Sequence, residues 1–405
     1  MITKTIELEE YSPTSLPAEA LPQHLGKLLW SRYGQKIQIE PPTFKTDNQW
    51  RITPQGWAGH IPVDDGYQLF IKPKVELGNL FRMLEYAYKL QFLATGEMVG
   101  AESLKNFYER LARILALRVL DRSRKGLYRE YACRSQRLPF LRGKVVLESM
   151  LRTPCETFLD CDYHENTADI EDNQILAWTL YCIARSHLCG EEVTRLVRRA
   201  FRAIQGFAEL RHCSARLCVG RSYSRLNEDY RSLHALCRFF LDHSGPSHEQ
   251  GGYQMLPFLI DMARLYEMFV AEWLRQHLPY HIILKDQAAF GIGSVNIVEF
   301  RIDLLLIDRA TGRRLCLIDT KYKTPSGPSS GDLEQVIAYA KALGCPEAVL
   351  VYPQILSKPF NHLVGGDIHV WTSTFGLADD LEKQGHVFMS TLLASVASSD
   401  AESDR

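Results

Sequence analysis

The stretch RIDLLLIDRATGRRLCLIDTKYK, Arg301 to Lys323, sets two apolar runs around a turn-like DRATGR, and each run carries an aspartate: Asp303 in the first, Asp319 in the second. Lys321 follows two positions after Asp319. In a β-strand alternate side chains share a face, so Leu315, Leu317, Asp319 and Lys321 project one way and Cys316, Ile318, Thr320 and Tyr322 the other. A hairpin centred on Thr311 sets Asp303 directly across from Asp319, since each lies eight residues from the centre. Two carboxylates facing each other repel unless a cation sits between them. An oxygen-rich, histidine-poor set suits Mg²⁺, with Mn²⁺ as a substitute, rather than Zn²⁺. A lysine beside such a pair fits a phosphodiester substrate, because its ammonium orients water and offsets charge building on the phosphoryl oxygens. The plainer reading is an edge hairpin whose Asp303 and Lys321 are solvated. That each charge interrupts an otherwise apolar run favours the site.

The remainder of the chain is that of an ordinary globular protein. Its 405 residues are 46% apolar and 23% charged, enough for two or three cores and unlike a disordered or fibrous chain. No apolar run approaches the roughly 20 residues of a membrane helix, and the opening MITKTIELEEYSP has no basic n-region or apolar h-region, so a cytoplasmic chain without membrane contact is expected. The ten cysteines are expected as reduced thiols; neither Cys155, Cys161 and His164 nor His212, Cys213 and Cys218 has the spacing of a common zinc module. The net charge of −1 hides an uneven distribution: residues 101–144 carry twelve Lys/Arg against four Asp/Glu, and residues 195–238 ten against three. Such a middle section suits either a phosphate backbone or an acidic partner, and equally a set of solvated helix faces.

The fold class expected is α+β and multidomain. Residues 1–100 read as a small β-rich domain, with a hairpin turn at Asp65-Gly66 inside WRITPQGWAGHIPVDDGYQLFIKPKV and a helix over NLFRMLEYAYKLQFL. Residues 101–245 read as mainly helical and basic, with helices ending at Gly126 and Gly190, Asp172 as an N-cap and a short extended LPFLRGKVVL. SGPSHEQGGY has the turn-residue density of a linker. Residues 253–390 read as a C-terminal α/β domain: a long helix QMLPFLIDMARLYEMFVAEWLRQHL, strands near 281–284, 298–307 and 314–321, a helix over 332–343 and strands at 348–352 and 368–372. Residues 391–405 read as a disordered tail.

Asp303 followed by Asp319-x-Lys321 on the next strand resembles the PD-(D/E)xK nuclease motif, with Ile302 where that family often has proline. That resemblance implies a preceding helix with a further acid, matched by Glu267 in ARLYEMFV, and a following helix with a Gln-x-x-x-Tyr pattern, matched by Gln335 and Tyr339. Along the wider chain, Gly59, Pro73-Lys74, Asn79-Leu80-Phe81, the RLPFLRGKV segment, Asn173 in DNQIL and MARLYEMFV ahead of LIDTKYK together resemble McrC, the nuclease subunit of McrBC modification-dependent restriction systems. The resemblance covers about residues 6 to 375. It implies a Mg²⁺-dependent endonuclease in which Asp303, Asp319, the Thr320 carbonyl and Glu267 hold the metal, Lys321 positions water, and Gln335 and Tyr339 brace the site. It also implies a McrB-like AAA+ ring that hydrolyses GTP and a partner-borne reader of modified cytosine in double-stranded DNA. This sequence has no G-x-x-x-x-G-K-[ST] loop of its own, so GTP is expected on the partner. Lys74, Arg142 and Lys144 are candidates for contact with DNA or that partner. A RecB-like nuclease acting alone or with a helicase, and a non-catalytic activator of an AAA+ ring, are the alternatives.

Overall fold

The computed structural model describes residues 4–63, 67–90, 103–146, 158–243, 248–250, 253–255, 257–292, 298–323 and 325–403. The chain divides into two compact units, one built from Met1–Glu102 together with Leu259–Arg405, the other from Ser103–Phe258. The N-terminal segment is therefore not the separate domain the sequence suggests.

Its elements are β1 (Lys4–Glu9), β2 (Thr14–Pro17), α1 (Gln23–Tyr33), β3 (Ile37–Glu40), β4 (Gln49–Pro54), β5 (Trp57–Pro62), β6 (Tyr67–Lys72) and α2 (Leu77–Tyr88). Strands β2, β4 and β3 form one antiparallel sheet. Leu21, Leu25, Leu29, Tyr33 and Trp50 are buried in the same core, and the Trp50 indole donates to the Leu21 carbonyl at 2.9 Å. β5 and β6 pair antiparallel as expected of a hairpin; the Asp65-Gly66 turn lies outside the described residues. β6 also pairs in parallel with β1.

The inserted unit holds α3 (Leu104–Lys125), β7 (Glu130–Leu138), β8 (Lys144–Val145), β9 (Leu159–Thr167), α4 (Glu171–Arg185), α5 (Glu191–Gln205), α6 (Tyr230–His243), β10 (His248–Gln250) and β11 (Tyr253–Met255). α3 stops at Gly126, whose φ of 94° ends the helix. The three-stranded sheet β7-β9-β8 departs from a mainly helical reading. Gly143 makes it possible: φ is +71° there, and a Cβ would stand 2.4 Å from the Asp162 carbonyl oxygen on β9. Two end signals shift. α4 begins at Glu171, so Asp172 sits inside the first turn and its carboxylate meets Arg221 Nη2 at 2.8 Å. Gly190 precedes α5 instead of closing α4, its N–H held by Glu109 Oε1 at 2.8 Å. Much of the basic surplus is paired within the unit, as in Arg113 with Glu192 and Arg142 with Glu165.

Returning to the first unit, β12 (Phe258–Asp261), α7 (Met262–His277), β13 (Ile282–Ile292), β14 (Val298–Asp308), β15 (Arg314–Thr320), α8 (Ser330–Leu343), β16 (Glu347–Tyr352), β17 (Asn361–Val364), β18 (Ile368–Thr374) and α9 (Leu381–Ser403) follow. The long helix expected from Gln254 starts only at Met262, because FLID is strand β12, which completes the sheet β1-β6-β5-β12, and Asp261 caps α7 by accepting from Arg264 N at 3.1 Å. Of the expected disordered tail, residues 391–403 are instead the end of α9, and 404–405 lie outside the described residues. β13 to β18 form one mixed sheet in the order β13-β14-β15-β16-β18-β17. α8 buries Val336, Ala340 and Leu343 with Leu317, Ala348, Leu350 and Val370 of that sheet. The two ends of the chain are tied directly: Asn79 Nδ2 donates to the Leu377 and Asp379 carbonyls at 3.0 and 2.9 Å, and Tyr86 meets Phe269 edge-on at 5.7 Å.

Asn173 turns out to be architectural. It is fully buried, donates to the Tyr128 and Ala168 carbonyls at 2.9 and 2.7 Å and accepts from Tyr230 Oη at 2.6 Å. Asn173→Ala removes three hydrogen bonds at once, leaving the Tyr230 hydroxyl without an acceptor in the interior. We expect it to destabilise the inserted unit by about 2–4 kcal/mol, read as an earlier urea transition.

Candidate active site

The turn Asp308–Arg313 closes β14 onto β15, with Asp308 Oδ1 accepting from Thr311 N at 2.7 Å and Gly312 at φ +72°. Ile307 pairs with Arg314, then the register shifts and Leu306, Leu305 and Leu304 pair with Cys316, Leu317 and Ile318. One more step places Asp303 opposite Asp319. Without the extra residue of this bulge Asp303 would face Ile318, whose side chain lies on the other face. The pairing expected from a hairpin centred on Thr311 is therefore reached by a slightly displaced turn plus a bulge. Neither strand is an edge: β13 flanks β14 and β16 flanks β15, which removes the solvated-edge-hairpin alternative.

The carboxylates are held differently. Asp303 is partly exposed, and its Oδ2 accepts from Thr320 N at 2.9 Å and from Thr320 Oγ1 at 3.1 Å. Asp319 is 3% exposed. Burial and the neighbouring Asp303 charge push its carboxyl up to about 6, against the pull of Lys321. Lys321 Nζ lies 2.8 Å from Asp319 Oδ2, but that sealed oxygen accepts no well-aligned hydrogen bond, which leaves it lone-pair capacity for a cation. Burial alone would lower the Lys321 pKa; the Asp319, Asp332 and Asp303 carboxylates reverse this and hold it above its ordinary value. Lys321 is thus a fixed positive charge at neutral pH and not a proton acceptor.

α8 supplies the rest. Gln335 Oε1 accepts from Lys321 Nζ at 3.0 Å and its Nε2 donates to Tyr339 Oη at 3.1 Å, an orientation dictated by an ammonium that can only donate. Asp332 was not singled out by the sequence, although Ser329-x-x-Asp332 is a capping-box signature and both halves of the box are formed. Its Oδ2 binds Lys323 Nζ at 2.5 Å while its Oδ1 lies 3.9 Å from Lys321 Nζ.

Glu267 on α7 is bonded by the Gln287 side chain. Gln287, in the left-handed region at φ +48°, falls opposite Asp303 between the pairs Asp286–Leu304 and Ala288–Ile302. Glu267 thus reaches the row of Asp303 and Asp319 through an amide, but the three carboxylates do not converge into one ligand group. Lys74 lines a cavity of about 360 Å³ with Tyr11, Tyr322 and Lys323, just beyond the end of β15. Behind that cavity Glu10, also unforeseen, is fully buried and accepts from Lys74 N and Tyr322 Oη, both at 3.2 Å. Arg142 and Lys144 belong to the inserted unit: Arg142 lies 3.9 Å over the Tyr163 ring and pairs with Glu165, and Lys144 pairs with Asp162 in the β8–β9 ladder.

A family model described as McrBC 5-methylcytosine restriction system component matches residues 52–353. The chain belongs to this McrBC family. It is 23% identical to the Type IV methyl-directed restriction enzyme EcoKMcrBC of Escherichia coli K12 over 266 residues, 62% of this chain and 74% of that protein. In a half-complex from the tetradecameric assembly of Thermococcus gammatolerans McrB AAA+ hexamers with bound McrC, one chain matches with a TM-score of 0.55 at 18% identity, over 96% of this chain and all of that one. The Thermococcus gammatolerans McrBC complex gives 0.45 at 21% identity, over 68% and 88%. At 18% identity the likeness to the half-complex chain is one of fold. No helix among the described residues of this McrBC-family chain is long and apolar enough to cross a membrane.

The raised Asp319 carboxyl has a thermodynamic consequence. Between the unfolded value near 3.8 and the folded value near 6 the native state binds the extra proton, so stability falls as pH rises through that window. Asp319→Asn has no such charge. Its stability relative to the natural chain should grow by about 1–3 kcal/mol from pH 4 to pH 7 and then level, as followed by denaturant unfolding at each pH.

Proposed function

We propose that this chain is the DNA-cleaving subunit of a McrBC-like modification-dependent restriction system, with a PD-(D/E)xK-type site in the mixed sheet. The observation that carries the reading is the buried Asp319, aligned with Asp303 by a bulge and faced by a lysine that stays charged. The donor set fits Mg²⁺: it is made of oxygens, one of them sealed and without an aligned bond, and burial together with the Asp303 charge raises the proton affinity of Asp319. Asp303 and Asp319, with the Thr320 carbonyl, would hold the ion. When bound, Mg²⁺ supplies the positive charge that acidifies water at the site and offsets charge on the phosphoryl oxygens.

The chain's own residues do the positioning. Thr320 fixes Asp303 through two hydrogen bonds from one residue of the neighbouring strand. Lys321 donates to the attacking water or to a phosphoryl oxygen, and Gln335, itself held by Tyr339, sets the direction in which its ammonium points. Glu267 acts at one remove, through Gln287. The inserted unit's basic surface and Lys74 are the candidates for contact with DNA or with a partner.

Membership of the McrBC family and likeness to a chain solved with McrB AAA+ hexamers and McrC support a ring partner that binds and hydrolyses GTP and reads modified cytosine, leaving this chain to cut. The test is cleavage of methylated and unmethylated plasmid by the purified chain with Mg²⁺, alone and with a McrB-like AAA+ partner and GTP. Cutting restricted to the full mixture on methylated DNA carries the proposal. Cutting by the chain alone replaces it with an independent nuclease, and a partner GTPase stimulated without any cutting replaces it with a non-catalytic activator.

Lys321→Ala should lower cleavage about a hundred- to a thousandfold while stimulated GTP hydrolysis stays at its original rate. An unchanged cleavage rate removes Lys321 from the mechanism. Gln335→Leu should lower kcat about tenfold with KM unchanged, and Gln335→Glu, which keeps an acceptor for Lys321, should restore most of it.

A further inference from the structure

On the side of the first unit where α7 ends and α9 begins, three side chains of metal-ligating type meet. His277, Glu382 and His386 present ligand atoms that all lie within 4.8 Å of one another. We propose that these residues form a Zn²⁺ site, with the fourth position open to water at the exposed His386.

The donor set is two imidazoles and one carboxylate, a combination suited to zinc and distinct from the all-oxygen set of the sheet. Glu382 and His386 stand one helical turn apart on α9, the i, i+4 spacing that puts two ligands on one face. His277 arrives from the last turn of α7. Its Nδ1 lies 2.8 Å from the Trp273 carbonyl oxygen, an atom that can only accept, so Nδ1 carries the hydrogen and Nε2 of the neutral ring keeps its lone pair. Nε2 is the atom that faces Glu382, 3.7 Å from Oε2. Bonds of about 2.0–2.1 Å in a tetrahedral zinc site separate neighbouring ligand atoms by about 3.4 Å. This pair therefore stands close to ligating separation already, and rotation of the exposed His386 ring supplies the rest.

The surroundings are those of a supported site. Glu382 accepts from Tyr86 Oη at 2.5 Å through Oε1 and from Trp273 Nε1 at 3.1 Å through Oε2. His277 stacks on the Trp273 indole, centroids 4.1 Å apart at 14°. Carbonyl, indole and phenol thus orient two of the three ligands, as outer-shell groups do around bound metals. Gly385 lets the helix come this close: a Cβ there would stand 2.3 Å from the Trp273 ring, so the position just before His386 is one that only glycine fits. Zinc at this point would clamp α9 to α7 and, through Tyr86, to α2.

The test uses the full chain, stripped of metal with a chelator and dialysed, then titrated with Zn²⁺ by calorimetry and followed by thermal unfolding. The natural chain should bind one equivalent more than His386→Ala or His277→Ala, with a Tm rise of about 5 °C at saturating zinc that both variants lose. Mg²⁺ should not reproduce the rise. Co²⁺ in place of Zn²⁺ should give a visible d–d band without thiolate charge transfer, which separates this site from zinc taken up by cysteines. His386 is exposed, so its variant should fold like the natural chain. Equal stoichiometry and equal Tm response in the natural chain and both variants, or a Co²⁺ spectrum of thiolate type only, overturns the proposal.

Discussion

Two like charges held face to face inside an apolar sheet are the constraint around which the first unit is organised. Asp303 and Asp319 sit among Leu304, Leu305, Leu317 and Ile318, all buried, where an uncompensated carboxylate costs several kcal/mol. The compensation is local and layered. Thr320 gives Asp303 two donors, Lys321 gives Asp319 a counter-charge, and Asp332 and Gln335 on α8 hold Lys321 in turn. The proton affinity that remains in Asp319 measures the part left uncompensated, and it is the part a divalent cation would take up.

The alignment that creates this tension depends on a single extra residue in β15. A strict hairpin from Ile307–Arg314 would have put the aspartates on opposite faces; the bulge brings them together. The same economy recurs at Gln287, where a residue in the left-handed region turns an amide toward Glu267. The bulge lies nearer the turn, between Leu306 and Ile307, and Gln287 lies in the row of the acidic groups; both re-aim side chains at it, as irregular strands commonly do.

Period-2 alternation made the strands and facing of this row legible in the sequence, and 3.6-residue spacing did the same for most helices. What stayed hidden were features decided by partners far away in the chain. FLID reads as the start of a helix until β5 is there to pair with it. Asn79 and Asn173, which belong to the McrC-like motifs, are clamps whose carbonyl partners no local pattern reveals. Glu10 and Tyr322 lie over three hundred positions apart and meet only because β1 and β15 end at the same place. α9 escaped notice because its Ser- and Ala-rich final turns have the composition of a solvated tail. Glu382 and His386 share an i, i+4 spacing, but nothing in one dimension links them to His277, since 104 residues lie between His277 and Glu382.

Because the first unit takes its strands from both ends of the chain, it is also the last part that synthesis can complete. The N-terminal sheet lacks β12 until the inserted unit has been made, and the strands bearing Asp303 and Asp319 emerge later still, followed by the helix that carries Lys321's partners. Closing contacts across so long an interval is slow, since the chain entropy must be lost before the contacts that reward it exist. The inserted unit, continuous in sequence, is free to fold first. A ribosome-bound or truncated chain therefore presents its basic helices well before it owns a complete carboxylate site.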